Sequence, residues 1–214
     1  MSDNAHSPAV RTVADAAELR ALLGPVAPRV RDKVRTSLTA LDRDWLAASP
    51  FCLMATSADD GSCDVSPKGD PAGFVHVLDD TSIVVPERPG NRRADGFHNI
   101  LSNGHVGLLF IIPGRGDTLR INGRAQLVSD APWFDDLVVH GHRPQLAVLV
   151  DVDEVFFHCS KAFLRSHLWQ PDSWAPDRLP DRPAIAKAME HTGMTLQELE
   201  AYYGEAYAKK LYKS

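Results

Sequence analysis

The chain sets its β-prone runs in pairs around short turns, and that habit restricts its fold more than any other feature. Residues 51–56 are short and apolar, Ser57-Ala58-Asp59-Asp60-Gly61 is a hairpin turn, and 63–66 return. Residues 73–78 and 81–85 flank Asp79-Asp80, and 106–112 and 118–128 flank Pro113-Gly114-Arg115-Gly116-Asp117. The plainest strand is 118–127. Thr118, Arg120, Asn122, Arg124 and Gln126 share one face, and Leu119, Ile121, Gly123, Ala125 and Leu127 share the other. Gly123 marks a bulge or a close approach of another backbone. A last β-prone stretch, 146–159, carries an expected bulge near 151–154. Hairpin-joined strands make antiparallel ladders, and no strand–helix–strand rhythm is present. A doubly wound sheet is therefore excluded, and an antiparallel barrel or sandwich is expected.

Helices come before, between and after these strands. Val30, Val34, Leu38, Leu41, Trp45 and Leu46 recur at steps of three and four, which predicts a helix over 29–48 ended by Ser49-Pro50. Further helices are expected over 91–102 with Asn91 as N-cap, 132–139, 160–169, 183–191 and 195–211. Thr195 and Glu198 make a capping box for the last. Ser66-Pro67-Lys68-Gly69 reads as a tight turn. Residues 1–9 read as a loose tail, and prolines 171, 176, 180 and 183 mark a connection. The expected division is 1–48 as tail and helices, 49–174 as the barrel, and 175–214 as a helical extension.

Composition narrows the function classes. The 214 residues carry 23 Lys and Arg against 28 Asp and Glu, a formal charge of −5. That balance argues against a protein that coats nucleic acid or an anionic membrane. The longest apolar run, 106–112, is far below the roughly 18–20 residues of a membrane span. The start of the chain lacks an apolar signal segment, and three scattered cysteines without a CxxC pair read as reduced thiols. A cytoplasmic protein is expected.

Local chemistry is more telling than net charge. Arg92 and Arg93 fall in the first turn of the helix expected from Asn91, where the backbone dipole favours acids. Arg88 stands just before them. Such a cluster suits an anion held by free N–H groups and guanidinium forks, or else a solvated basic patch paired with Glu87 and Asp95. Lys161 repeats the pattern after Ser160. Lys161, Arg165 and Trp169 recur at i, i+4, i+8 along one expected helix face, which suits a phosphorylated aromatic ligand or packing on a neighbour. Lys68 is either a further phosphate contact or a solvated lysine. His140-Gly141-His142 lacks further ligands at zinc spacing and reads as a loop pair. Phosphate-loop, nucleophile-elbow and zinc-protease motifs are absent from the sequence.

With these residues in view, the chain resembles the flavin-binding split-barrel superfamily of pyridoxamine phosphate oxidase. Within it, the chain is most similar to an FMN-dependent branch of bacterial proteins. The resemblance rests on Val65-Ser66-Pro67-Lys68-Gly69-Asp70, on Val85-Pro86-Glu87-Arg88-Pro89-Gly90-Asn91-Arg92-Arg93, and on Gly107-Leu108-Leu109-Phe110-Ile111-Ile112-Pro113-Gly114. Leu119-Arg120-Ile121-Asn122-Gly123-Arg124-Ala125, and His158-Cys159-Ser160-Lys161 through Leu168-Trp169, complete it. It spans 29–174.

The resemblance implies a six-stranded antiparallel split β-barrel that forms a homodimer with FMN at the subunit interface. It implies that Arg92 and Arg93 at the helix start, with Ser66 and Lys68 on the strand end, hold the FMN phosphate. Pro86, Arg88 and Asn91 lie on the segment beside the flavin. Lys161, Arg165 and Trp169 match contacts supplied by the partner's late helix. The oxidase proper ends in an Arg/His-containing segment that handles pyridoxal, whereas 195–211 is rich in Tyr and Glu, so vitamin B6 oxidation is not implied. The expected function is an FMN-dependent oxidoreductase acting on a small molecule. The alternatives are a non-catalytic flavin carrier or sensor, the same barrel holding haem or a deazaflavin, and an interaction module without cofactor.

Overall fold

Every strand pair expected from the turn signals forms, and non-local pairing joins them into one sheet. The computed structural model describes residues 10–190 and 193–212. The tail expected over 1–9, and the end of the helix expected over 183–191, lie outside the described residues. The strands are β1 (Phe51–Ser57), β2 (Cys63–Gly69), β3 (His76–Val77), β4 (Ser82–Pro86), β5 (His105–Ile111), β6 (Thr118–Val128) and β7 (Ala147–His158). Their order is β2-β1-β5-β6-β7-β4-β3, and every neighbouring pair is antiparallel. The order is linear, with β2 and β3 at its edges, so the barrel is split rather than closed. It has seven strands where six were expected, because the two residues of β3 add a short edge.

Alternation places the core. On β6, Leu119, Ile121, Gly123 and Ala125 are buried while Arg120, Arg124 and Gln126 are exposed. One apolar cluster gathers Cys52 and Met54 of β1, Ile83 and Val85 of β4, and the inward residues of β5, β6 and β7. The expected bulge lies in β7. Asn122 faces Glu154 but Gly123 faces Val152, so Asp153 is the extra residue. Val148, Val150 and Val152 point to the core before it and Val155 after it. The bulge thus shifts the inward phase from even to odd positions. At this point a Cβ on Gly123 would lie 2.1 Å from the Asp151 carbonyl oxygen.

The helices are α1 (Ala16–Leu23), α2 (Pro28–Arg31), α3 (Ala40–Ala48), α4 (Asp95–Ser102), α5 (Lys161–Ser166), α6 (Arg182–Met189), α7 (Leu196–Tyr203) and α8 (Glu205–Ala208). The chain divides into two compact units, 1–34 and 35–214. The first carries α1 and α2; everything else belongs to the second. The single helix expected over 29–48 is thus two short ones. Thr39 and Asp42 form a capping box that starts α3 afresh, and the Arg35 backbone bridges to Val155 in both directions, at 3.1 and 2.7 Å. The helix expected over 195–211 likewise breaks at Gly204, although its capping box forms as read. No described helix is long and apolar enough to cross a membrane.

Candidate functional site

Two elements build the site: the edge strand β2 and the loop that carries the chain from β4 into α4. Residues 66–69, read as a turn, instead continue β2, with Pro67 opposite Leu53 and Lys68 opposite Cys52. Pro67 is tolerated because β2 pairs only with β1 and its other edge needs no donor. As a strand, β2 presents Asp64, Ser66 and Lys68 on one face, and these three are half-buried while Val65 and Pro67 are exposed.

The helix after Arg93 begins later than its sequence suggests. Its first residue is Asp95 and its N-cap is Ala94. Arg92 and Ala94 both take left-handed φ of 59°, which breaks helical continuation through 91–94. The Asn91 side chain accepts from the Arg93 N–H at 3.0 Å, so it caps a turn and not the helix. The first helical turn therefore carries an acid, Asp95, as the dipole favours. The N-cap supplies no side-chain bond, leaving backbone N–H groups at the helix start without a side-chain acceptor. Gly96 brings that start close to the sheet. A Cβ there would lie 3.0 Å from Asp64 Oδ2 and 3.5 Å from Ser66 Oγ.

Between β2 and this loop lies a cavity of about 240 Å³, lined by Ser66, Lys68, Asn91, Arg92 and Arg93 among others. A second cavity, about 710 Å³, lies beyond it and is lined by Arg88, Pro89, His142, Gln145 and Tyr212 among others. Glu87, Arg92, Ala94 and Phe97 line both, so the two share a wall.

The cations differ sharply in how far the fold uses them. Lys68 pairs with Glu87 and lies 4.7 Å from the centre of the Phe97 ring. Arg93 donates to Asp95 Oδ2 at 2.7 Å, and that hydrogen bond raises its pKa above the usual value. Arg88 is fully engaged: Nε donates to Asp70 at 2.5 Å, and the remaining nitrogens donate to the Leu137 carbonyl at 2.8 Å and the His142 carbonyl at 3.4 Å. Arg92 alone of these has no ion pair or hydrogen bond among the described residues, and it is exposed where the two cavities meet. Of the acids the sequence offered the arginine cluster, Asp95 pairs with Arg93, whereas Glu87 is taken by Lys68. Cys52, opposite Lys68, is buried; desolvation pushes its thiol up to about 12, against the opposing pull of the Lys68 charge.

The remaining expected residues lie elsewhere. Pro86 is buried at the end of β4, opposite Ala147, and lines neither cavity. Lys161 and Arg165 are on α5, but the helix closes at a left-handed His167 whose neighbour Leu168 donates back to Phe163, so Trp169 falls beyond it. The expected common face of Lys161, Arg165 and Trp169 does not form. Trp169 instead donates from Nε1 to the Arg115 carbonyl at 2.6 Å and stacks on Phe163. None of the three lines the two cavities of its own chain. Sequence reasoning missed Asp64 and Gly96, legible only once 66–69 is strand, and Asp70, His142 and Tyr212, which long-range packing brings in.

A split antiparallel sheet with a polar cleft between its edge strand and an inter-strand helix defines a split-barrel class of protein. The chain belongs to the pyridoxamine 5'-phosphate oxidase family, whose model matches residues 38–159. Among solved structures, HupZ of Group A Streptococcus is 18% identical, covering 56% of this chain and 93% of its own, at a TM-score of 0.46. An FMN-binding protein from Syntrophomonas wolfei is 9% identical, covering 56% and 89%, at 0.42. General Stress Protein 26 from Bacillus anthracis is 13% identical, covering 54% and 92%, at 0.40. No curated protein matches the sequence.

Proposed function

We propose that the protein is a cytoplasmic homodimer that binds FMN and serves as an FMN-dependent oxidoreductase for a small molecule. The observation that carries this reading is Arg92, an unpaired guanidinium at the junction of the two cavities. A phosphate in the smaller cavity meets Arg92, the Ser66 hydroxyl and the uncapped start of α4, which together supply charge and donors. Lys68 and Arg93 stand beside it, already balanced by Glu87 and Asp95. Asn91 holds the loop in shape. The larger cavity has the volume of a small-molecule site, and Phe97 and His142 give it flat walls for a ring. Bound FMN supplies hydride chemistry; the chain's residues bind, orient and shield it.

Arg88 and Pro86 support the segment and do not touch the ligand in this reading. Lys161, Arg165 and Trp169 serve the partner's site, since they reach neither cavity of their own chain. The exposed thiols of Cys63 and Cys159 suit a reducing compartment.

An absorbance scan of the purified protein and an FMN titration test the reading. Wild type binds FMN, and Arg92→Ala weakens binding by about ten- to a hundredfold, the value of one charge-assisted contact. Equal affinity in the two proteins removes Arg92 from the site. Reduction of the bound flavin by NADH or NADPH separates an oxidoreductase from a passive carrier.

A further inference from the structure

The segment after α8 returns to the larger cavity. After α8, Lys209, Lys210 and Leu211 are exposed and Tyr212 turns inward. Its hydroxyl donates to Asp70 Oδ1. Its ring lies nearly parallel to His142, centroids 5.8 Å apart, and edge-on to His140 at 5.3 Å. The Arg88 guanidinium covers it at 5.8 Å. Tyr212 thereby forms a wall of the 710 Å³ cavity.

Two features make this wall removable. Among the described residues, the segment 209–212 is tied to the loops around the cavity through one ring and one hydroxyl, beyond a helical stretch that buries little besides Ala186 and Leu199. A segment with so few ties opens locally at far less than the cost of global unfolding. Its departure also leaves no buried charge unpaired, because Asp70, 1% exposed, keeps its bond from Arg88.

We propose that Tyr212 is a lid residue, which opens with the segment 209–212 to admit a planar ring into the larger cavity and closes over it to slow release. The identity of that ring rests on the FMN reading above; the lid does not. Two variants probe it. Tyr212→Ala removes ring and hydroxyl, and Tyr212→Phe removes the hydroxyl alone with little risk to folding. Two measurements follow: release of bound FMN by fluorescence recovery on dilution, and tryptic cleavage after Lys209 and Lys210.

Release is expected to be about tenfold faster in Tyr212→Ala, with Tyr212→Phe between it and wild type. Cleavage is expected to be faster in both variants, and FMN is expected to slow it in wild type. Where FMN binds, both effects are required, and either one missing overturns the lid. If wild type binds no FMN, the flavin reading falls and cleavage alone decides. Faster cleavage of Tyr212→Ala then sustains the lid, and equal cleavage overturns it.

Discussion

Asp42 is fully buried, yet it stays charged because α3 begins there. Burial alone raises its carboxyl pKa, but bonds from the Arg35 guanidinium and from the Thr39 N–H and hydroxyl outweigh that, and the net shift is downward. Arg35 in turn is laced by its backbone to Val155 of β7, so one carboxylate fastens the start of α3 to the sheet. A depressed folded pKa stabilises above the unfolded value, near pH 4, and the contribution disappears as pH falls through the folded value. Asp42→Asn is expected to cost about 2–3 kcal/mol at neutral pH, since the half-exposed Arg35 loses its partner. The gap to wild type is expected to narrow below about pH 4, measured by urea unfolding across pH. A gap constant down to low pH would remove Asp42 from this role. The same scale separates Arg88 from Arg92. Both looked alike in sequence, but one is spent on Asp70 and two carbonyls while the other is exposed with no ion pair or hydrogen bond among the described residues.

The β6–β7 ladder shows what an element's pattern can and cannot disclose. Gly123 is glycine for a steric reason: a Cβ would sit 2.1 Å from a carbonyl oxygen and 3.0 Å from Val150. The nearest obstacle is the backbone of β7, which cannot swing aside as a side chain can, so Gly123→Ala is expected to lose about 3 kcal/mol, read as a lowered urea midpoint. A loss under about 0.5 kcal/mol, the range of an ordinary surface change, would mean the ladder slides to relieve the clash. This glycine, the two faces of β6 and the bulge were all legible, because strand alternation is a strict period of two and any break in it shows. Element ends were not. Pro67 and Gly69 are turn residues by composition, but an edge strand accepts them, so β2 runs three residues further than it reads. Helix α4 starts three residues later than an N-cap at Asn91 suggests because Arg92 and Ala94 take left-handed backbones, which sequence gives no reason to expect of them. Ser66, Lys68, Arg92 and Arg93 therefore line one cavity, but from other elements than their local sequence suggests. Tyr212, 142 positions from Asp70, carried no local signal at all.

At the scale of the whole molecule, the two cavities and the α5 segment pose one geometric question. Ser66, Lys68, Arg92 and Arg93 gather at one cavity, while Lys161, Arg165 and Trp169 face elsewhere. If a two-fold dimer places the α5 segment of one subunit beside the cavity of the other, each site needs one intact contribution from each chain. Arg92→Ala then spoils the cavity side, and Lys161→Ala with Arg165→Ala spoils the helix side, so each homodimer binds FMN weakly. Unfolding and refolding an equal mixture makes about half of the dimers mixed. In a mixed dimer one site combines both defects. The other combines an intact cavity with an intact helix, so about a quarter of all sites regain wild-type affinity. That fraction, read from an FMN titration as a tight phase absent from either parent, is the expected outcome. If the helix served its own chain's cavity instead, every site in the mixture would keep one defect and no tight phase would appear. If α5 played no part, the double variant would bind like wild type before any mixing.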